Sequence, residues 1–121
     1  MCLTKITCRK LIKEVKAWKV FVRAGTEGEL TGLLQSGLYH VGGTYKVRKR
    51  TMLGWPEGKP KYLCGFHAFA EKADARDYSE LQANSIVLPV ILRNVRTQGT
   101  QRYAYVHRKV YVGRKMTILA E

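Results

Sequence analysis

The string Cys64-Gly65-Phe66-His67-Ala68-Phe69 holds the residue types best suited to chemistry in this sequence. A glycine beside an aromatic and a histidine, at the end of a strand just before a helix, lets the backbone approach a ligand closely. His67 could then donate to a phosphate or a ribose hydroxyl, or serve as a general base near neutral pH. The alternative is a buried histidine whose ring nitrogens are tied to backbone. Cys64, His67, His40 and His107 are metal-ligand types, but a lone C-x-x-H lacks the second pair that structural spacing requires. No metal and no cofactor is therefore expected. Cys64 and His67 also make a poor nucleophile pair, because residues three apart on a strand point to opposite faces. Gly42-Gly43, between Tyr39-His40 and Thr44-Tyr45, could form an anion nest or a bulge that twists a sheet. There is no P-loop, no G-x-S-x-G and no G-x-G-x-x-G, and no catalytic residue is assigned.

Charge is the stronger signal. Lys and Arg number 22 against 9 Asp and Glu, a formal charge of +13, which makes an anionic partner the leading idea. The cations fall into three blocks. Residues 1–23 carry Lys5, Arg9, Lys10, Lys13, Lys16, Lys19 and Arg23. Residues 46–61 carry Lys46, Arg48, Lys49, Arg50, Lys59 and Lys61. Residues 93–115 carry Arg93, Arg96, Arg102, Arg108, Lys109, Arg114 and Lys115 with no acid. Glu71, Asp74, Asp77 and Glu80 gather in one short segment. Charge sorted this way predicts a polar molecule with one positive side. Lys46, Arg48, Arg50, Arg102, Arg108 and Arg114 are the phosphate-binding candidates. Tyr45, Tyr103 and His67 are the candidates for base or sugar contact, since aromatic faces stack on bases while cations neutralise phosphates.

These residues need elements to position them. With 121 residues, 45% hydrophobic and 26% charged, the chain has the composition of one globular domain. Residues 1–14 read as a basic N-terminal arm and 15–121 as a single α+β domain. In 15–23, Trp18, Val20 and Val22 alternate with Lys19, Phe21 and Arg23, as in a strand. Residues 38–50 are extended and interrupted at Gly42-Gly43, 54–60 a loop, and 62–69 a short buried strand. A helix is expected over 70–82, with Ala70, Ala73, Tyr78 and Leu81 on one face. The run 86–95 is apolar almost throughout, which predicts burial on both faces, and Pro89 marks a bulge or edge position. Thr97-Gln98-Gly99-Thr100 reads as a hairpin turn, followed by strands over 101–107 and 109–119. The fold expected is a largely antiparallel, twisted sheet of five or six strands with one main helix.

Cys2, Cys8 and Cys64 form an odd set without zinc spacing, which suits free thiols in a reducing cytoplasm. The longest apolar run, Ile86 to Leu92, is far short of the ~18 residues of a membrane span. No signal-peptide pattern follows the opening charges, so a cytoplasmic protein without a membrane partner is expected.

The strings LYHVGGTYKV, YLCGFHAFAEKADARDY, IVLPVILRNVRTQGTQ and RKMTIL, with the opening MCLT, resemble a group of small, mostly uncharacterised proteins of bacteriophages and related mobile elements. Gly65, His67, Phe69, Ala75 and Tyr78 match its strand-then-helix pattern, and Gln98-Gly99-Thr100 its hairpin. The resemblance implies a non-enzymatic, counter-defence binding protein in the host cytoplasm. It would hold nucleic acid or a nucleotide second messenger on a basic face. A protein–protein inhibitor docked on an acidic host surface is the second expectation, and a homo-oligomer is compatible with either. Fainter is a likeness to NAD-binding folds that transfer ADP-ribose, which need a glutamate against the ribose; Glu71 and Glu80 are the nearest candidates in sequence, and neither sits in a recognisable motif.

Overall fold

The computed structural model describes residues 3–24, 29–32, 38–47, 52–53, 61–103 and 106–121, with backbone alone for Ala24, Gly32, Met52, Leu53 and Tyr103. Among the described residues nine strands and one helix run in the order β1 (Lys5–Cys8), β2 (Ile12–Ala24), β3 (Glu29–Gly32), β4 (Thr44–Lys46), β5 (Met52–Leu53), β6 (Tyr62–Leu63), β7 (Phe66–Phe69), α1 (Lys72–Ser79), β8 (Ser85–Tyr103) and β9 (Val106–Ile118). Seven strands form one antiparallel sheet, and β5 with β6 a separate pair.

The sheet closes on itself. β2 pairs with β8, β8 with β9 and β9 with β7, and the single pair Trp18–Phe69 joins β7 back to β2. All four strands of this ring send side chains to one cluster: Ala17 and Phe21, Phe66 and Ala68, Leu88, Val90 and Leu92, Met116 and Ile118. Alternation explains it, because every second residue of a strand faces the enclosed side. A second cluster of Leu3, Val20, Tyr62, Phe69, Val110 and Val112 packs under α1 through Ala75. The apolar run of β8 therefore feeds both clusters, Val87 to the second and Leu88, Val90 and Leu92 to the first. Pro89, with no N–H to give, sits just past the last β8–β9 pair, Val90–Ile118, and its carbonyl accepts from the Leu119 N–H at 3.0 Å.

The expected α+β architecture is corrected: the protein is mostly β. The helix expected over 70–82 is only the 8 residues Lys72–Ser79. Its N-cap, Glu71, is extended and makes no side-chain cap. At the other end Asn84 adopts a positive φ of 58°, and the Ser85 hydroxyl lies 2.9 Å and 2.8 Å from the carbonyl oxygens of Ser79 and Gln82. The chain turns there into β8, so Leu81 leaves the packed face and is 64% exposed.

The hairpin expected at Thr97–Thr100 is also displaced. These residues lie inside the 19-residue β8, and the connection to β9 falls at residues 104–105, outside the described residues. Gly99 serves close packing instead of a turn. It pairs with Ile6, and a Cβ there would collide with the Lys5 carbonyl oxygen and stand 2.9 Å from Leu3 Cδ1. The segment 1–14, expected as an arm, contributes β1 to the edge of β8 and buries Leu3 completely. Among the described residues no helix is long and apolar enough to cross a membrane.

Candidate anion-binding face

Four strands lie side by side in the order β4, β9, β8, β2, and their register decides which side chains share a face. Tyr45, Met116, Leu92 and Val15 stand in one row and belong to the inner cluster or pack against it. The rows on either side must then point outward. One is Lys46, Lys115, Arg93 and Glu14, each directly opposite the next. The other is Thr44, Thr117, Ile91 and Lys16. With strands roughly 4.8 Å apart, three cations are consecutive neighbours across the sheet. Like charges directly opposite each other destabilise a sheet, at a few tenths of a kcal/mol to about 1 kcal/mol per pair.

Hydrogen bonds order this face. Arg93 donates from Nε to Glu14 Oε1 and from Nη1 to Thr117 Oγ1, both at 2.9 Å. The hydroxyls of Thr117 and Thr44 are 2.9 Å apart. The chain Glu14–Arg93–Thr117–Thr44 thus spans all four strands. Among the described residues no carboxylate lies within ion-pair distance of Lys46 or Lys115. Beyond Lys16 the face continues to Trp18, whose ring carries the ammonium of Lys16 at 5.2 Å and that of Lys72 at 4.9 Å. Lys72 also pairs with Glu121 and holds that carboxyl below its usual range.

The residues proposed from sequence are dispersed. Lys46 is in the row. Arg48 and Arg50, and the side chain of Tyr103, lie outside the described residues. Arg102 is exposed near the far end of β8, nine residues from Arg93 or roughly 30 Å of strand, and its N–H donates to Thr4 Oγ1 at 2.9 Å. Arg108 is buried beneath α1, with Nη1 2.9 Å from Asp74 Oδ1 and 3.0 Å from Asp77 Oδ2. Arg114 donates from Nη1 to the Cys64 carbonyl at 2.7 Å and lies 3.5 Å from Cys64 Sγ. Tyr45 packs against the core, its ring edge-on to Tyr39 at 4.7 Å, and its hydroxyl accepts the His40 N–H at 2.7 Å.

His67 is buried, and both ring nitrogens are engaged. Nδ1 lies 3.2 Å from the Gly65 carbonyl, which can only accept, so Nδ1 carries the proton. Nε2 then accepts from the Tyr62 hydroxyl at 2.8 Å, whose oxygen in turn accepts the Leu3 N–H at 3.0 Å. The ring is neutral: burial, and then the Lys19 ammonium, lower its pKa from 6.5 to about 3. Lys19 is itself buried on the inner side and donates to the His67 carbonyl at 2.8 Å, and burial lowers its pKa from 10.5 to about 8. Glu71 and Glu80 are exposed at opposite ends of α1, whereas the His67 ring is buried. Among the described residues no group of three His, Cys, Asp or Glu could hold a metal. Cys8 and Cys64 are free thiols, and Cys2 lies outside the described residues. Gly42-Gly43 forms a turn, with φ of 86° at Gly42. Both amides are already engaged, that of Gly42 on the Ile118 carbonyl of β9 at 2.7 Å and that of Gly43 on the His40 carbonyl within the turn at 3.0 Å, which leaves no anion nest.

Arg93, Lys115 and Lys16 belong to the basic blocks, but sequence reasoning did not single them out as ligand contacts. Their signal was register, which composition does not carry. Comparison with protein-family models, with curated proteins and with solved structures finds no match.

Proposed function

We propose that this chain is a non-enzymatic binding protein that holds the phosphate backbone of a nucleic acid on the outer face of β4, β9, β8 and β2. The observation that carries the reading is the row Lys46–Lys115–Arg93, three cations in direct cross-strand register. Such a row is unfavourable when empty and is relieved when anions bind across it. The face spans four strands, which favours a polymer with several phosphates over a single nucleotide. The resemblance to phage proteins supplies a setting, in which occluding nucleic acid counters a host defence.

The test is fluorescence anisotropy with a labelled DNA oligonucleotide across a salt series. If three phosphates are neutralised, log K falls with log salt at a slope of roughly −2 to −3. The double variant Lys46→Ala, Lys115→Ala should weaken binding at low salt and flatten the slope by about two. Binding insensitive to salt, or retained in full by the double variant, would overturn the proposal. Preferential retention of a free nucleotide would redirect it to a small-molecule ligand.

A further inference from the structure

We infer that Arg93 is the phosphate anchor of this face, with the Thr117 and Thr44 hydroxyls completing its subsite. The inference rests on the phosphate-binding reading above and names where on the face a phosphate is gripped. Lys46 and Lys115 are flexible cations without an ion-pair partner among the described residues, able to follow a phosphate but not to orient it. Arg93 is different. Its guanidinium is fixed from two sides, by Glu14 on Nε and by Thr117 on Nη1. A planar group held in this way presents its remaining N–H donors, including both on Nη2, in a set direction. A pair of such donors matches two oxygens of a phosphate.

The threonines extend the grip. Arg93 occupies a lone pair of Thr117 Oγ1, so the Thr117 hydrogen can go to Thr44 Oγ1. Thr44 is exposed at the end of this chain, and its own hydrogen is then left for a phosphate oxygen. Glu14 is a positioning residue, placed on the β2 side of Arg93. Its carboxylate repels phosphate there and directs it toward Lys115 and Lys46 on the β9 side.

The experiment compares wild-type protein, Arg93→Lys, Thr44→Val and Lys115→Ala with the same labelled oligonucleotide across the salt series. Arg93→Lys keeps the charge and loses the fork. It should bind roughly tenfold more weakly at every salt concentration with the wild-type slope. Lys115→Ala should lower the slope by about one. Thr44→Val, which leaves the guanidinium in place, should cost about threefold at an unchanged slope. Thermal melting checks that Arg93→Lys folds, and Thr44→Val carries the test alone if it does not. If wild-type protein binds but Arg93→Lys and Thr44→Val do so equally well, the anchor is refuted and the phosphate face stands. If wild-type protein does not bind at low salt, the phosphate face is refuted and the anchor with it.

Discussion

Replacing Lys19 by methionine should make the protein more stable at neutral pH, although it removes a hydrogen bond. Lys19 points to the enclosed side of the ring and is 7% exposed, and its ammonium donates to the His67 carbonyl. Its pKa falls from 10.5 to about 8 because burial penalises the charged form. At about 1.4 kcal/mol per pK unit, keeping the proton inside the fold costs on the order of 3 kcal/mol. The unfolded chain holds its proton up to about pH 10.5 and the folded chain only to about pH 8. Between these values the unfolded state binds more protons, so stability rises with pH. Below pH 8 both states are protonated and the penalty is present in full. Methionine has nearly the same length and no charge to desolvate. It leaves the His67 carbonyl without its donor, at about 1–2 kcal/mol. The net expectation at pH 7 is a gain of about 1–2 kcal/mol. Above pH 10.5 the order reverses, because neutral lysine still donates its hydrogen bond. Urea unfolding followed by tryptophan fluorescence, from pH 7 to 11, measures both curves. The difference between them cancels the other groups that titrate in this range. Parallel curves for wild type and variant would refute the reasoning, since Lys19 would then titrate alike in both states.

The remaining predictions concern the second cluster and its edges. His67 has its folded pKa lowered to about 3 from 6.5, so its neutral form contributes stability that is complete above pH 6.5 and is lost as pH falls toward 3. His67→Phe should flatten acid unfolding in that window, measured by circular dichroism from pH 7 to 3. Arg108→Met strips Asp74 and Asp77 of their partner, and a loss of about 2–3 kcal/mol is expected in chemical denaturation. Gly99→Ala places a methyl group against the Lys5 carbonyl and Leu3, which should cost about 1–3 kcal/mol. Hydrogen exchange should show the amides of Lys5–Cys8 losing protection first, and uniform protection across β1 would speak against the clash.

The alternation in 15–23 located most of β2, because a strand lying between an inner cluster and a covered outer face needs apolar residues on both. The apolar run at 86–95 located the first half of β8 for the same reason. Other features depended on contacts between distant segments. Thr97-Gln98-Gly99-Thr100 has turn composition, yet Gly99 is small because β1 crosses it, a neighbour more than ninety residues away in sequence. Likewise, Leu81 fits the helical period, but the helix stops at Ser79 because the Ser85 hydroxyl sits against the last carbonyls. His67 was legible as either a ligand group or a buried ring, and only its partners, Tyr62 and Gly65, distinguish the two.

The candidate face depended on the same hidden register. A hairpin centred on Gln98-Gly99 would set Arg93 opposite residue 104, whereas the observed pairing sets it opposite Lys115. Lys16, Lys46 and the pair Arg93 and Lys115 come from three separate basic blocks, and they meet only once β2, β4, β8 and β9 are aligned. The fold sorts its cations in two ways. Arg108 is matched to two carboxylates under α1, where its charge is neutralised within the protein. Lys46, Lys115 and Arg93 are placed beside one another with one carboxylate, Glu14, at the end of the row. Solubility alone requires surface charge but no register. A row that concentrates repulsion on one strip of sheet, and fixes its arginine from two sides, is the arrangement on which the proposed anion contact rests.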